Sequence, residues 1–228
     1  MIAGIDEAGK GPVIGPMFVA GVMIENARLN LLIDLGVKDS KKLAPKKREY
    51  LAEKIKKIAN YYILEVKTRQ IDELRKTMTM NEIMVECFVE VLNNLNPNCV
   101  FVDAADVKAN RFANNIQEKY GYIKIVSEHR ADNHYPIVSA ASILAKVSRD
   151  KAIQKLEQEI GIKFGSGYPS DPSTKKFLKE WVEEYGELPN FARHSWKTSE
   201  NVIRNYKKKQ QSEASDQTFR KQSKLIDF

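Results

Sequence analysis

Two adjacent carboxylates, Asp6 and Glu7, lie close to the start of the chain within residues 4–16, which read GIDEAGKGPVIGP. Apolar residues 2–5 predict a short buried strand, and the glycines that follow predict a turn where the strand ends. Because successive strand side chains point to opposite faces, at least one carboxylate is directed toward the sheet interior or a covered cleft. A buried carboxylate needs a cation or another strong partner, and a divalent metal satisfies that need. The alternative is an acidic turn with both carboxylates in solvent.

The same stretch partly matches a phosphate-binding loop, because Gly4 is followed after four residues by Gly9 and Lys10. Such a loop continues with Ser or Thr, whose hydroxyl binds magnesium, whereas this chain has Gly11. The two acidic residues inside the loop would also place negative charges where backbone amides must surround phosphates. A nucleotide hydrolase is therefore an alternative that two features of the sequence oppose.

The composition predicts a cytoplasmic protein with a nucleic-acid partner. A chain of 228 residues, 43% of them hydrophobic, can form one sizeable domain with an appendage. Cys87 and Cys99 have no pairing motif or metal-ligand spacing, which favours a reducing compartment, and neither a signal peptide nor a membrane-length apolar run is evident. The net charge of +7 is compatible with a polyanion, although lysine-rich solvated helices would give the same total.

Hydrophobic periodicity predicts alternating strands and helices. The first two strands are closely connected, which indicates an antiparallel start, and apolar residues 100–103 are typical of a buried parallel strand after a crossover helix. A capping box at Thr79–Glu82 begins that helix. Glycines within 161–169 predict a subdomain boundary, and the polar segment 210–224 is predicted to be disordered. The predicted strands are 2–5, 13–24, 61–66, 100–103 and 122–126, and the helices are 45–59, 79–95, 108–120, 136–159, 171–186 and 198–209.

Acidic residues follow several of these strands. Besides Asp6 and Glu7, Asp103 ends one strand and Asp132 follows the next. Carboxyl ends of neighbouring parallel strands meet at one sheet edge, so the four acids together predict a Mg²⁺ or Mn²⁺ site, although any single one is more often a turn former. Zinc is disfavoured because no histidine or thiolate clusters nearby. The three histidines, His129, His134 and His194, are interpreted as structural.

Five motifs cover most of residues 1–200: GIDEAGKGPVIGP at 4–16, DSK at 39–41, VDA at 102–104, HRAD at 129–132 and SAASILAK at 139–146. In sequence and in order they resemble the motifs of type 2 ribonuclease H, specifically archaeal ribonuclease HII. The resemblance implies an α/β RNase H-like fold, a mixed five-stranded sheet flanked by helices, with a C-terminal helical subdomain. The implied division is a catalytic domain over 1–165, a helical subdomain over 166–209 and a flexible tail over 210–228.

The resemblance implies cleavage of the RNA strand of RNA/DNA hybrids and of ribonucleotides embedded in duplex DNA, leaving 3′-hydroxyl and 5′-phosphate ends. The family's catalytic, metal-binding acids fall on Asp6, Glu7, Asp103 and Asp132, and four carboxylates suffice to hold two Mg²⁺ or Mn²⁺ ions, with Asp6 as bridging ligand. A monomer is expected. A non-catalytic hybrid-binding protein of the same fold is the alternative, which the four intact acids oppose.

Substrate contacts are also assigned by the resemblance. Backbone groups of Gly9, Lys10 and Gly11 sense the ribose 2′-hydroxyl, and here Lys10 stands where the family usually has arginine. Tyr168 matches the tyrosine that contacts the same hydroxyl, although it could instead cover the subdomain hinge. Lys41, Lys146 and Arg149 are candidate phosphate contacts; each could be an ordinary surface cation, but Lys146 lies in an otherwise apolar helix.

The end of the chain resembles the motif that binds the sliding clamp PCNA. Gln222, Leu225 and Phe228 are spaced three residues apart, so that one helical turn places Leu225 and Phe228 on the same side. The usual motif has a second aromatic residue, which this chain lacks. Short motifs also arise by chance, and an idle C-terminus is the alternative.

Overall fold

The computed structural model describes residues 1–37 and 43–226, with side chains described as far as Ser212. These residues form two compact units. The first contains Met1–Lys10 and Pro16–Gly161, and the second contains Gly11–Gly15 together with the chain from Ile162 onward. The boundary predicted at residue 165 divided the chain in sequence order. It therefore did not assign residues 11–15 to the second unit.

The described residues of the first unit form a mixed five-stranded sheet in the order β3-β2-β1-β4-β5. β1 pairs antiparallel with β2 and parallel with β4, β2 pairs antiparallel with β3, and β4 pairs parallel with β5. The antiparallel start and the parallel fourth strand confirm the sequence predictions and the α/β fold class. The strands are β1 (Ile2–Ala8), β2 (Met17–Ile24), β3 (Asn60–Val66), β4 (Cys99–Asp103) and β5 (Lys124–Glu128).

Helices pack on both faces of this sheet. A Cβ atom at Gly4 in β1 would collide with the backbone of Ile137 and Val138 at the start of one helix, whereas a Cβ at Gly21 in β2 would lie 2.5 Å from Val91 and Leu95 of another. Gly21 is opposite Ile5, the neighbour of Gly4, so the two glycines face opposite sides of the sheet. Both helices therefore approach the strands closely enough to require glycine.

The helices of the first unit include several that periodicity did not predict. The capping box at Thr79 is confirmed, because the Thr79 N–H donates to Glu82 Oε2 at 2.7 Å. The short helices were missed because fewer than two turns show no apolar repeat. The helices are α1 (Asn30–Asp34), α2 (Pro45–Ile58), α3 (Thr68–Leu74), α4 (Met80–Leu95), α5 (Ala109–Tyr120), α6 (Ala131–His134) and α7 (Pro136–Ile160), with a 3-10 turn at Asn26–Arg28.

The second unit is helical, with α8 (Pro172–Tyr185) and α9 (Lys197–Ile226). Its aromatic rings form a cluster in which Trp181 lies 5.6 Å from Phe177 and 5.5 Å from Phe191, measured between ring centroids. Within the described residues, no helix has the length and apolar character needed to cross a membrane.

Three sequence predictions need correction. β1 continues to Ala8, so residues 4–8 are strand rather than a phosphate-binding loop, and that alternative is wrong. β2 begins at Met17 instead of residue 13, because Gly11–Gly15 joins the second unit. α9 continues to Ile226, where disorder was predicted from residue 210. Residues 210–224 include no Gly or Pro, and nine of them are Gln, Lys, Arg, Glu or Ala, which favour helix even without a core to pack against.

Candidate functional site

Asp6 and Glu7 lie inside β1, near its carboxyl end, rather than in a turn after it. The Asp6 side chain is only 4% exposed, and its Oδ1 accepts the backbone N–H of Glu7 at 2.7 Å. Asp6 is two residues from Gly4 and shares its face of the strand, and it is hydrogen-bonded to Ser142 of α7. Strand alternation therefore places one carboxylate of the pair under α7, as the sequence predicted for a buried acid.

Burial and mutual repulsion disfavour the charged forms of these acids. Burial raises the pKa of Asp6 well above its ordinary value, and the negative charges of Glu7 and Asp103 raise it further, against the hydrogen bond from Ser142. Burial also raises the pKa of Glu7; Asp103 adds to this rise, and the positive charge of Lys10 opposes it. Asp6, Glu7 and Asp103 therefore lie within electrostatic range of one another.

Asp103 and Asp132 are connected through α6. Asp103 is the last residue of β4, and its Oδ1 accepts the N–H of Ala131, the first residue of α6, at 3.3 Å. Asp132, the next residue, is only 2% exposed, and its Oδ2 lies 4.0 Å from Lys146 Nζ. The Lys146 ammonium also donates to Ser142 Oγ at 2.8 Å. Ser142 thus contacts both Asp6 and the Lys146 ammonium, which lies beside Asp132. It therefore connects these two acids through α7.

The acidic site, defined as Asp6, Glu7, Asp103 and Asp132, is connected by these pairwise interactions. In the described part of the chain, no three His, Cys, Asp or Glu side chains form a ready-made group that could hold a metal ion. The donors are nonetheless all carboxylate oxygens, the ligand type of hard divalent cations. A cation would also offset the repulsion that raises the pKa of Asp6. The chemistry of the acidic site therefore fits magnesium or manganese.

The turn after β1 is fixed by neighbours in the first unit. Gly9 has φ +91°, and a Cβ there would lie 2.7 Å from Arg149 Cδ and 2.9 Å from the carbonyl of Pro16, so only glycine fits. Lys10 Nζ donates to the carbonyl of Ala105, just after β4, and lies 3.4 Å from Asn81 Oδ1. The Lys10 side chain is therefore directed to the loop after Asp103.

Gly11 and Tyr168 lie together in the second unit. A Cβ on Gly11 would be 3.6 Å from Tyr168 Cε1, and the Tyr168 side chain is 42% exposed. The adjacent carbonyl of Gly167 accepts the N–H groups of Val13 at 2.7 Å and Ile14 at 3.2 Å. The tyrosine ring therefore stands beside a glycine backbone and retains an accessible surface.

Asp171 fixes the turn that carries Tyr168. Its Oδ2 accepts the N–H and the hydroxyl of Ser166, both at 2.7 Å, while its Oδ1 accepts the N–H of Ser173 at 2.9 Å. The backbone N–H of Asp171 donates to the Tyr168 carbonyl at 3.0 Å. The bonds from Ser166, followed by that from Ser173, lower the pKa of Asp171 to about 2.

Comparison with known proteins identifies the family. The model of the family described as Ribonuclease HII matches residues 3–199. This chain belongs to the ribonuclease HII family. Membership makes it a hydrolase of the ribonuclease H class, an endonuclease that acts on RNA/DNA hybrids.

Similar members of the ribonuclease HII family come from archaea. The ribonuclease HII of Methanosarcina barkeri is 58% identical over 218 residues, which cover 91% of this chain and 97% of that one. Ribonuclease HII of Pyrococcus abyssi is 48% identical over 212 residues, covering 92% and 94% of the two chains.

Solved structures of ribonuclease HII show the same architecture. Ribonuclease H2 from Pyrococcus horikoshii has a TM-score of 0.84 at 46% identity, with 91% of this chain and 99% of that one covered. A PCNA:RNase HII complex from Archaeoglobus fulgidus has a TM-score of 0.82 at 47% identity, with 89% and 96% covered. A Bst-RNase HIII in complex with Mn²⁺ has a TM-score of 0.76 at 19% identity, covering 91% and 70%, and supports the fold alone.

Some site residues of this ribonuclease HII lie where the sequence predicted and others do not. Lys146 contacts the acidic site, whereas Arg149 is 9% exposed and packs on Gly9, so the structure gives its side chain a supporting contact inside the unit. Lys41 lies outside the described residues. Gln222 and Leu225 are in α9 with side chains that are not described, and Phe228 is outside the described range.

Glu128, a further acid at this sheet edge, was not predicted as a site residue from the sequence. Glu128 ends β5 opposite Asp103, and its Oε1 accepts the Tyr135 hydroxyl at 2.6 Å while Oε2 lies 3.2 Å from His134 Nδ1. These partners flank the end of α6, so Glu128 fixes the short helix that carries Asp132. His129 and His194 instead contact backbone carbonyls, which agrees with a structural interpretation. The only sequence signal for Glu128 was its place at a strand end.

Proposed function

We propose that this ribonuclease HII hydrolyses both the RNA strand of RNA/DNA hybrids and single ribonucleotides embedded in duplex DNA, leaving 3′-hydroxyl and 5′-phosphate ends. The observation that carries the proposal is the acidic site, in which buried Asp6 interacts with Glu7, Asp103 and Ser142. A carboxylate whose pKa is raised by burial and by neighbouring carboxylates at a sheet edge favours a function that brings a cation to it.

Asp6, Glu7, Asp103 and Asp132 would hold Mg²⁺ or Mn²⁺. Two bound divalent ions supply activation of water and stabilisation of the leaving oxygen in an in-line displacement at phosphorus. The protein's own contribution is to orient these carboxylates. Ser142 bonds to Asp6, Lys146 balances the charge of Asp132, and the Ala131 N–H bonds to Asp103.

Selection of ribose falls to the turn after β1 and to the second unit. In this proposal, backbone groups of Gly9, Lys10 and Gly11 contact the 2′-hydroxyl, and the exposed ring of Tyr168 packs on the same sugar. The support is that Gly11 has only a hydrogen atom facing the Tyr168 ring, which leaves its backbone accessible. Lys41, Lys146 and Arg149 are the proposed phosphate contacts, of which Lys146 has a second role beside Asp132.

A sliding clamp is the proposed protein partner. The Archaeoglobus fulgidus ribonuclease HII, which is 47% identical to this chain, has a solved structure in complex with PCNA. In this chain Gln222, Leu225 and Phe228 carry the spacing of the clamp-binding motif, and three bulky apolar residues, Leu225, Ile226 and Phe228, follow a polar segment. A hydrophobic pocket on the clamp would accept Leu225 and Phe228.

Cleavage of a DNA duplex with one internal ribonucleotide, in Mg²⁺ or in Mn²⁺, tests the proposal. We expect a single nick with a 3′-hydroxyl and a 5′-phosphate, identified by ligation and by mass of the products. A long RNA/DNA hybrid is the positive control, and an all-DNA duplex is the negative control. Cleavage of the hybrid with an intact single-ribonucleotide duplex would contradict the second activity, and cleavage in the absence of divalent ions would contradict the metal mechanism.

A further inference from the structure

The backbone carbonyl of Gly11 is held by a side chain that is distant in sequence. The indole N–H of Trp196 donates to this carbonyl at 3.1 Å. An indole has one donor and no acceptor, so this bond uses its full polar capacity. The Tyr168 ring is a second neighbour of Gly11, with Cε1 3.6 Å from the position of a Cβ atom. Gly11 therefore contacts two aromatic side chains of the second unit.

Arg193 fixes Trp196 in this position. The Arg193 guanidinium carbon lies 4.8 Å from the centre of the Trp196 ring, within cation–π range. Arg193 is fully buried, and its guanidinium donates to the carbonyl of Gly15 through Nε at 3.1 Å and Nη2 at 3.0 Å. A buried arginine with such contacts has little freedom, so the indole that rests on it has a defined position.

The backbone reinforces the same arrangement. The Arg193 N–H donates to the Val13 carbonyl at 2.8 Å, and the Gly15 N–H donates to the Phe191 carbonyl at 2.9 Å. These bonds hold residues 13–15, whereas the Trp196 indole holds the carbonyl of Gly11. The next residue, Pro12, has a fixed φ and no N–H of its own. The ψ angle of Gly11 sets the direction of its carbonyl. Without the indole bond, this rotation would be less restrained than at other residues, because glycine has no side chain.

We propose that Trp196 is a positioning residue for ribose selection, which fixes the Gly11 peptide so that its backbone and the Tyr168 ring form one surface for the 2′-hydroxyl. Arg193 supports it by holding the indole. The inference rests on the proposed role of Gly11 and Tyr168 in sensing ribose. Trp196 itself does not touch the substrate in this mechanism, and it acts by reducing the freedom of the glycine.

Trp196→Phe tests this role, because phenylalanine keeps a ring over Arg193 and removes the N–H donor. Binding is measured in Mg²⁺ with Asp103→Asn in every protein, so that cleavage does not interfere. Two DNA duplexes, identical except for one internal ribonucleotide, are the probes. We expect the preference for the ribonucleotide duplex to fall about fivefold to tenfold, as for a lost hydrogen bond, with unchanged affinity for the all-DNA duplex.

Trp181→Phe is the matched control, since it makes the same truncation in a ring that packs on Phe177 and Phe191. Its preference for the ribonucleotide duplex should remain that of the parent. If Trp196→Phe lowers the melting temperature more than this control, replacement of Trp196 by 3-benzothienylalanine removes only the N–H while preserving ring shape. An unchanged preference in that protein would overturn the inference.

Failure of ribose sensing and failure of the Trp196 role give different results. A parent protein that binds both duplexes equally would refute ribose sensing by Gly11 and Tyr168 in binding, whereas the proposed hydrolysis is judged by the nicking assay. A parent that prefers the ribonucleotide, a Tyr168→Ala variant that loses this preference and a Trp196→Phe variant that keeps it would refute only the role of Trp196. Parallel loss in Trp196→Phe and Tyr168→Ala would support both.

Discussion

Asp103 ends β4 and accepts a hydrogen bond from the start of α6, so it joins two parts of the acidic site. Asp103→Asn keeps the shape of the side chain and removes its charge. We expect kcat to fall by about 10²–10³-fold or more, because a preorganised charged group is lost. Duplex affinity should be retained or improved, since one negative charge no longer faces phosphate. Turnover near that of the parent protein would show that Asp103 is not a metal ligand.

Tyr168 is an exposed ring beside Gly11, and its contribution is expected in ribose selection rather than in overall affinity. Tyr168→Ala should slow cleavage of a single-ribonucleotide duplex by about tenfold or more, the effect of losing one stacking contact. Affinity for an all-DNA duplex should change little because phosphate contacts supply most of it. Tyr122→Ala, at a side chain that is almost fully exposed, is the control. Equal losses in cleavage and affinity, or a loss of folding, would indicate a structural tyrosine.

Single residues also show what local sequence can and cannot predict. Asp6, Glu7 and Asp103 were found because each closes an apolar run, which is a signal of a few adjacent residues. The contacts of Trp196 to Gly11 and of Arg193 to Gly15 join positions 185 and 178 residues apart, respectively. No local pattern encodes such a pair. The direction of the Lys10 side chain toward Ala105 was equally hidden, since it depends on where β4 ends.

At the scale of elements, the contact of β1 with α7 depends on Gly4. An added Cβ would meet the backbone of Ile137, which cannot move without shifting the helix. We expect Gly4→Ala to lower the free energy of unfolding by about 3 kcal/mol or more, at the upper end of overpacking effects. Gly36→Ala is the control, because its added Cβ meets nothing within 4 Å and costs only the strain of a positive φ, about 1 kcal/mol. Equal losses in urea denaturation would mean that β1 and α7 are less closely packed.

Asp171, at the start of α8, should make the stability of the protein depend on pH in the acidic range. Hydrogen bonds from Ser166 and Ser173 lower the pKa of Asp171 from its ordinary 3.8 to about 2 in the folded protein. A depressed carboxyl pKa stabilises the fold above the unfolded pKa, and this contribution disappears as the pH falls from about 4 to about 2. Melting temperatures measured from pH 7 to pH 2 should therefore fall less steeply below pH 4 for Asp171→Asn than for the parent. Asp34→Asn, the same change at an exposed position in the first unit, is the matched control. Identical acid profiles for Asp171→Asn and the parent would exclude this stabilisation.

Elements with a long apolar repeat were predicted well, and their ends were predicted less well. α2 and α4 were found because each buries a periodic face, and the capping box marked where α4 begins. α7 was found because Pro136 opens a long run of small and apolar residues, which are buried almost continuously as far as Val147. The end of α9 was missed because disorder was predicted from the lack of apolar residues. The segment is helical because it has no Gly or Pro to interrupt residues of good helix propensity. The start of β2 was placed too early because apolar residues 13 and 14 are buried in the second unit.

For the whole molecule, the C-terminal segment predicts a division between catalysis and recruitment. Removal of residues 222–228 should leave cleavage of short duplexes unchanged, because none of the proposed catalytic or ribose-sensing residues lies in this segment. The same truncation should eliminate binding to the cognate sliding clamp in calorimetry, with Phe228→Ala giving a partial loss. Equal clamp binding with and without residues 222–228 would refute the motif.

The membership of Gly11–Gly15 in the second unit has a consequence for synthesis of the protein on the ribosome. This segment leaves the exit tunnel before Arg193, which is 178 residues later in the chain. The Gly15 carbonyl can accept its hydrogen bond from Arg193 only after that residue has been synthesised. At typical elongation rates this delay is on the order of 10–40 s. Throughout that interval the loop between β1 and β2 has no second unit to join. The nascent chain can assemble its sheet in stages, but it completes the proposed ribose-sensing surface only after Trp196 has left the exit tunnel.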